Sequence, residues 1–415
     1  MRVEGYTHFG GAHFESANLK NLMAWAGAGN PLTGKAFTEA ECLGIAGGIA
    51  AGYQWCPSVP GYDFGSGVSV VGRAKLYTTN GAWYRDFFDR LAIQTDVRET
   101  GGAKAALANM REPIEKGQPV VAWTSPMRIS PLGTWTTSCG MYSVVVHGLD
   151  EAAGTALIAD NAATARTLPL EDLMWSRNRV CSLKNRTLTF ARPKPPAAAQ
   201  VKSAYEAGIR ECAADFAKPR LGTFNLPGLE EWTKVISNSK SKRGWLAAFP
   251  GGKIYWPLRD AFDAIETAGT GGGLMRNLYA DFLDGAAGAL KRPALAECAA
   301  KYRSLAKNWT AFADQLLPDQ VKPFAATKKL LRKRESAYLG KGEKGMKDVA
   351  DAAKQLDTLN GEVVRDFPWD EALTVQHLEA CGTALRGLFY SEQEAAALLG
   401  KAAGQAVGKA AGKAR

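Results

Sequence analysis

A proline-rich segment divides this chain into two parts with different sequence patterns. Residues 192–199 read Arg-Pro-Lys-Pro-Pro-Ala-Ala-Ala, and because proline interrupts helices and strands, an extended linker is expected there. Strand and helix patterns are mixed before the linker, whereas helical periodicity dominates after it. The pattern predicts an α+β domain over residues 1–191, an all-α domain over residues 200–400 and a basic low-complexity tail over residues 401–415.

The first domain has a helix pattern near its start and strand patterns later. Apolar residues recur on one helical face between Glu15 and Ala26. The predicted strands are Pro119–Trp123, Tyr142–Gly148, Thr155–Asp160 and Thr187–Phe190. The second and third of these are joined by a short polar turn, so we expect them to pair antiparallel.

The second domain is predicted to consist of helices alone, because its apolar residues recur every three to four positions. The predicted helices are Lys202–Phe216, Glu230–Ile236, Leu258–Glu266, Leu274–Ala286, Leu295–Leu316, Asp348–Leu359 and Leu373–Leu388.

The net charge of +10 is concentrated in two places, the segment 322–347 and the tail 401–415. Because the rest of the chain is nearly neutral, a uniformly basic nucleic-acid-binding domain is not expected, and neither is a nucleic acid partner. The apolar runs fall short of the ~20 residues that cross a membrane. With no apolar signal region at the start, the sequence predicts a soluble cytoplasmic protein without a membrane partner.

Metal and disulfide chemistry find little support in the sequence. The seven cysteines are scattered and never form a Cys-x-x-Cys pair, which is not typical of a disulfide framework or a zinc site. None of the four histidines stands in a metal-ligand spacing. We therefore predict no metal and no cofactor.

Several short motifs follow one another in the first domain. Gly10-Gly11-Ala12-His13-Phe14-Glu15 leads into the first helix, and Thr38-Glu39 precedes a glycine-containing stretch that ends near Tyr53. Gly117-Gln118-Pro119-Val120 opens a strand, and a later strand pair ends at Asp160. In this order the motifs resemble the N-terminal domain family of butirosin biosynthesis protein H, over roughly residues 5–190. Residues 266–283 resemble the uncharacterised helical family that commonly follows it.

The resemblance implies a papain-like cysteine-peptidase fold, adapted to move an acyl group from an acyl carrier protein to an amine. In such a site a thiolate attacks, an imidazole moves the proton and a carboxylate orients the imidazole. The resemblance puts the family's cysteine at Phe14, its histidine at Tyr142 and its acid at Asp160. Two of the three groups are thus replaced by rings with little nucleophilic or basic capacity at neutral pH.

Other residues near these positions are candidates for lining the site or for replacing the lost groups. His13, Glu15 and Asn161 adjoin the implied triad positions in the sequence, and we expect them to line the site. Ser16, and Cys139 paired with His13, are candidate relocated nucleophiles. Their structural alternatives are a helix-start hydroxyl for Ser16 and a buried or loop thiol for Cys139.

Two further features suggest anion recognition. Gly271, Gly272 and Gly273 precede a helix that contains Arg276, and this arrangement is a candidate site for a phosphate such as a pantetheine arm. The alternative is a helix cap and turn. The basic run Lys328–Arg334 lies on a helix and is either a docking face for an acidic carrier protein or a solvated face.

These observations favour a binding protein that is related to carrier-dependent acyltransferases of secondary metabolism and has a disabled triad. An acyl carrier protein or an acylated small molecule is the expected partner. The second hypothesis is an active acyltransferase or amidase with a relocated nucleophile, Cys139 or Ser16. The third is polyanion binding by the basic run and the tail.

Overall fold

A six-stranded antiparallel sheet organises the first half of the chain. The computed structural model describes residues 1–55, 66–75, 81–133, 141–180 and 183–404. Its strands are β1 (Gly29–Asn30), β2 (Lys35–Ala36), β3 (Ile49–Trp55), β4 (Val68–Arg73), β5 (Thr95–Arg98), β6 (Val120–Thr124), β7 (Tyr142–Asp150), β8 (Thr155–Ala159), β9 (Arg166–Pro169) and β10 (Thr187–Phe190). The large sheet has the order β5-β10-β6-β7-β8-β9, and the pairs β1-β2 and β3-β4 lie apart from it. The predicted antiparallel pairing of the strands that begin at Tyr142 and Thr155 is confirmed.

Helices flank this sheet in the first half. They are α1 (Phe14–Trp25), α2 (Glu39–Ala46), α3 (Ala82–Arg90), α4 (Ala103–Glu115) and α5 (Leu170–Arg179). The start of α2 is fixed by a capping box, in which the Thr38 hydroxyl accepts from the backbone N–H of Glu41 and the Glu41 carboxylate accepts from that of Thr38. α1 lies beside β7, where the side chain of Asn18 donates to the backbone oxygen of Ser143 at 3.1 Å.

The second half is helical, as expected. Its helices are α6 (Ala198–Ala217), α7 (Asn225–Val235), α8 (Trp245–Ala248), α9 (Tyr255–Glu266), α10 (Arg276–Leu290), α11 (Pro293–Leu316), α12 (Lys322–Lys341), α13 (Met346–Arg365) and α14 (Glu371–Ala402). α14 continues well past the predicted end at Leu388, because Ala395, Ala396 and Leu399 still pack into the core. The helix therefore includes the first residues of the predicted tail, and residues 405–415 lie outside the described part.

The two halves share one cluster of buried apolar side chains. The Phe282 ring of α10 lies against Gly44 of α2, where a Cβ would overlap the ring. The guanidinium of Arg276, also on α10, donates to the backbone oxygen of Ala50 in β3 at 2.8 Å. These contacts hold the helical half against the first half by apolar packing and by buried polar bonds.

Neither a membrane-spanning helix nor a metal-binding cluster is present among the described residues. None of the helices there has the length and apolar character needed to cross a membrane. No cluster of three or more His, Cys, Asp or Glu side chains in the same residues has the arrangement of a metal site.

Candidate functional site

The first turn of α1 is held by a carboxylate from the neighbouring helix. His13 is the N-cap residue, with an extended backbone, and Phe14 is the first helical residue. The Glu39 carboxylate at the start of α2 accepts hydrogen bonds from the backbone N–H groups of Ala12 and His13, each at 2.8 Å. It also accepts from the Ser16 hydroxyl at 2.8 Å. A negative group at a helix N-terminus is stabilising, so Glu39 accounts for the position of this turn.

Phe14 and Tyr142 contact each other at the predicted site. Their ring centroids lie 4.3 Å apart, and each side chain is 1% exposed. Tyr142 begins β7, and its hydroxyl donates to Oδ2 of Asp160 at 3.1 Å. The structure therefore brings the three implied triad positions together. The two buried rings fill the space between the start of α1 and the start of β7.

Asp160 is a buried carboxylate with several hydrogen-bond donors around it. Besides Tyr142, it accepts from the Tyr338 hydroxyl, from the backbone N–H of Ala162 at 2.9 Å and from Nη2 of Arg166 at 3.3 Å. The Arg166 guanidinium also lies over the Tyr338 ring, 5.1 Å from its centroid. Buried charge is tolerated when it is paired and hydrogen-bonded, and these donors meet that need.

Two tyrosines at this carboxylate remain protonated. Burial, followed by the Asp160 charge, raises the pKa of Tyr142 well above its ordinary value. The same two causes, in the same order, raise the pKa of Tyr338. Each phenol is therefore a hydrogen-bond donor to Asp160 and is not available as a base near neutral pH.

The helical half closes over this cluster from two directions. At the end of α12, the backbone oxygen of Leu339 accepts from Ala163 at 2.9 Å, and Glu343 N–H donates to the Thr164 hydroxyl at 3.1 Å. Gly342 lies so close to Thr164 that a Cβ there would collide with it. These contacts bind the loop after Asp160 to the helical half.

The glycine loop 269–273 forms the second part of this cover. A Cβ at Gly271 would lie 3.0 Å from Cβ of Ala12, just before α1. Asn161, which the sequence placed near the site, donates from Nδ2 to the backbone oxygen of Ala12 at 3.0 Å. The loop, the start of α1 and the end of β8 therefore meet at one point.

Glu15 and His13 are both buried next to Phe14. The Glu15 carboxylate forms an ion pair with Arg73 of β4, whose guanidinium lies over the Trp83 ring. Burial raises the pKa of Glu15, and the Arg73 charge opposes that rise. Burial, assisted by Arg73, lowers the pKa of His13 well below its ordinary value, so this imidazole is neutral at pH 7.

A small pocket lies beside these residues. Glu15 and Met141, the chain neighbours of Phe14 and Tyr142, line it together with Arg73 and an aromatic group. Its cavity volume is about 10 Å³, which is room for about one water molecule. Its aromatic residues are Trp83, Tyr84 and Trp123.

Of the two candidate relocated nucleophiles, Ser16 lies within the described residues and Cys139 does not. Ser16 is fully buried, and its hydroxyl donates to Glu39, while Nδ1 of His13 is 3.5 Å away. A serine nucleophile needs a base that takes its proton and a path for the substrate. Here the hydrogen bond to Glu39 holds the Ser16 hydroxyl at the start of α1. Cys139 lies outside the described residues, so its pairing with His13 stays a prediction.

Arg276, which the sequence analysis expects to help bind an anion at Gly271–Gly273, has a partner within the chain. That side chain is fully buried and forms an ion pair with Glu392 of α14 at 2.8 Å. The backbone N–H of Gly273 donates to the Glu266 carboxylate at 3.0 Å, so an acid already occupies the loop. A second anion would be repelled there, and the loop acts as a close-packed turn instead.

The basic run Lys328–Arg334 is not a continuous charged face. Lys328 is buried with ion pairs to Asp314 and Asp319, and Arg334 is buried with an ion pair to Asp263. Lys329, Arg332 and Lys333 remain exposed. The apolar stripe of α12 buries the two ends of the run because they lie on its inner side.

Sequence reasoning gave no site role to Tyr338, Arg166, Arg73 or Glu39, although Glu39 belongs to a motif that carries the family resemblance. Tyr338 contacts Asp160 from an element that is distant along the chain, and Arg166 contacts it from the next strand, β9. Arg73 and Glu39 contact the first turn of α1, and none of the four stands in a recognisable spacing with Phe14 or Tyr142. A buried aromatic residue at the end of a helix, such as Tyr338, has the same pattern as any core residue.

Two family models match parts of this chain. The family model described as butirosin biosynthesis protein H, N-terminal, matches residues 13–161. A domain of unknown function (DUF4872) matches residues 171–339, a range that includes Tyr338. No curated protein matches the chain. Residues 13–161 therefore belong to the butirosin biosynthesis protein H N-terminal family, and a DUF4872 domain follows them.

Proposed function

We propose that this chain is a triad-defective relative of the carrier-dependent acyltransferases, which binds an acyl or peptide-like group without transferring it. The family match relates it to the acyltransferases of secondary metabolism. The observation that carries the proposal is the contact between the Phe14 and Tyr142 rings, 4.3 Å apart, where the family pattern has a cysteine and a histidine. We also propose that the N-terminal half has the papain-like fold.

The arrangement around α1 supports the papain-like fold. In such enzymes the nucleophile stands at a helix start, and the base and acid come from neighbouring strands. Here Phe14 begins α1, Tyr142 begins β7 and Asp160 follows β8, and the last two share a hydrogen bond. This placement supports a triad-like arrangement in which two of the side chains cannot perform the chemistry.

The chemistry of these side chains argues against acyl transfer. A phenyl ring has no lone pair with which to attack a thioester, and the protonated Tyr142 cannot accept a proton. Triad loss in a serine protease leaves about 10³–10⁴-fold acceleration over water, from binding and oxyanion contacts alone. Asp160 is also engaged by Tyr338 and Arg166, so it is not free to orient an imidazole.

The pocket beside Glu15 and Met141 is the proposed binding place. Its aromatic walls, Trp83, Tyr84 and Trp123, suit an apolar acyl chain. Its cavity volume of about 10 Å³ holds about one water molecule, so an acyl group would enter only if the aromatic walls moved apart. The partner that would present such a group is an acidic acyl carrier protein, for which the exposed Lys329, Arg332 and Lys333 offer complementary charge.

The test uses an acyl-pantetheine thioester and follows the released thiol. Wild type, Cys139→Ala and Ser16→Ala are expected to release thiol at the rate of buffer alone. Binding of the same thioester is measured in parallel by tryptophan fluorescence. Trp83→Ala is expected to weaken it, and Trp175→Ala, a partly exposed control away from the pocket, is not.

Two outcomes would contradict the proposal. Saturable thiol release that disappears in Cys139→Ala or in Ser16→Ala would establish the alternative, an active enzyme with a relocated nucleophile. Absence of thioester binding at millimolar concentration would remove the binding role. The double variant Phe14→Cys with Tyr142→His adds a gain-of-function arm, since restored turnover would identify these two positions as the ancestral nucleophile and base.

A further inference from the structure

The two edge strands of the large sheet differ in how far they are shielded from pairing with another strand. At one edge, the backbone N–H of Thr167 in β9 donates to the Glu343 carboxylate at 3.1 Å, and the strand ends at Pro169. Proline has no N–H to offer, so this edge is closed to further pairing. At the other edge β5 has a single neighbouring strand, β10, within the part of the chain that the structure describes.

The β5 edge is exposed and carries an apolar side chain. Val97 is 47% exposed, and it is one of few large apolar side chains in the described residues that are exposed to this degree. The side chains of Asp96 and Arg98 are 54% and 36% exposed and form an ion pair with each other at 2.8 Å. Arg98 also pairs with Glu112 of α4 at 2.9 Å, so pairing with a second copy would exchange or share these ion pairs. A strand with a free row of backbone donors and acceptors is a ready template for pairing with another strand.

The sequence of β5 is self-complementary for antiparallel pairing. When two copies pair around a two-fold axis through Val97, each Asp96 stands directly opposite the partner's Arg98. The two valines then face each other on the opposite side of the ribbon. Directly opposed side chains in an antiparallel pair have Cβ atoms about 4.5–5.5 Å apart, within reach of an ion pair. Like charges are not opposed at either position.

We propose that β5 is an isologous docking edge and that its occupant is β5 of a second copy of this chain. The two large sheets would join into one continuous sheet across the two-fold axis. The contact is short, so we expect a dissociation constant between about 1 µM and 1 mM. The proposal is independent of the proposed function, because β5 lies apart from Phe14, Tyr142 and Asp160.

The first experiment measures mass by sedimentation at protein concentrations from about 1 µM to 1 mM, the range that such a constant requires. Wild type is expected to shift from monomer to dimer. Asp96→Arg and Arg98→Asp each put like charges opposite one another and should weaken association at least about tenfold. The double variant Asp96→Arg with Arg98→Asp restores opposite charges and should restore the dimer.

A matched control and a covalent trap complete the test. The exposed ion pair Asp281–Arg303 lies elsewhere on the surface, and its reversal should leave the mass unchanged. Val97→Cys places two thiols on the two-fold axis, and oxidised glutathione should convert them to an interchain disulfide while it is reduced. Leu221→Cys, similarly exposed, should not cross-link.

Three results would overturn the proposal. The first is a wild type that remains monomeric over the whole concentration range. The second is a dimer that the single reversals leave intact, because association would then use another surface. The third is a double variant that fails to recover association, because the charge pairing would then not be that of this register.

Discussion

Removing the Tyr338 hydroxyl tests the contact between the two halves at Asp160. In Tyr338→Phe the ring keeps its packing and its place under the Arg166 guanidinium, and a hydrogen bond to a buried carboxylate is lost. A hydrogen bond to a charged group contributes about 1.5–3 kcal/mol to stability. Because Asp160 keeps Tyr142, Arg166 and Ala162 as donors, we expect the lower part of this range, about 1.5–2 kcal/mol.

The assay for this variant is urea unfolding followed by both tryptophan fluorescence and circular dichroism. Coincident transitions are needed before a single free energy of unfolding is assigned. The slope of the free energy of unfolding against urea concentration should equal that of wild type. The urea concentration at the midpoint of unfolding should fall. Tyr390→Phe is the control, since that ring is 59% exposed and its hydroxyl should contribute little.

Two results would refute this reasoning about Tyr338. One is a free energy of unfolding within about 0.5 kcal/mol of wild type, the range typical of surface substitutions. The other concerns hydrogen exchange, which should accelerate first in the loop 160–165 and at the start of α1. An increase that begins elsewhere would show that the hydroxyl does not hold this loop.

Three further substitutions test other parts of the account by urea unfolding. Arg276→Met leaves the Glu392 charge unpaired in the core and should cost about 3–5 kcal/mol. Gly342→Ala puts a Cβ against Thr164 at a φ of 53° and should cost about 1–3 kcal/mol. Burial lowers the pKa of His147 to about 4, so between pH 6.5 and 4 the unfolded chain binds a proton that the folded chain does not. Wild type should therefore lose stability as the pH falls through this window, and His147→Phe should lose less.

Each of these three variants has a matched control. Arg303→Met removes one side of an exposed ion pair and should cost at most about 1 kcal/mol. Gly340→Ala adds a Cβ in open space on the same helix and should be neutral or slightly stabilising. His8→Phe changes an exposed histidine and should keep the wild-type pH dependence. If a variant and its control change the stability, or its pH dependence, by the same amount, the reasoning given for that variant is contradicted.

Local signals explain which parts of the fold were predictable. The hairpin of β7 and β8 has two apolar strand patterns around a short polar turn, so its pairing follows from adjacent residues. The proline-rich segment is also a local signal. Because its prolines interrupt helices and strands, it predicted the change from sheet to helices. The end of α14 was misjudged because the alanines after Leu388 bury little surface each, although together they continue the core contact.

The candidate site was only partly predictable because its residues come from distant parts of the chain. Family resemblance related Phe14, Tyr142 and Asp160, which periodicity alone could not connect. Tyr338 reaches Asp160 from 178 residues away, and nothing in the sequence near either residue indicates that contact. Arg276 follows glycines near a helix start, a pattern typical of anion sites, and only its tertiary partner Glu392 reveals that it is a buried structural group.

The central claim is that the contact between Phe14 and Tyr142 leaves this site without acyl-transfer chemistry. The most direct measurement is the steady-state rate of thiol release from an acyl-pantetheine thioester with an amine acceptor present. The account predicts that wild type matches the protein-free rate at every substrate concentration. A saturable rate above that background, removed by Cys139→Ala or by Ser16→Ala, would contradict it.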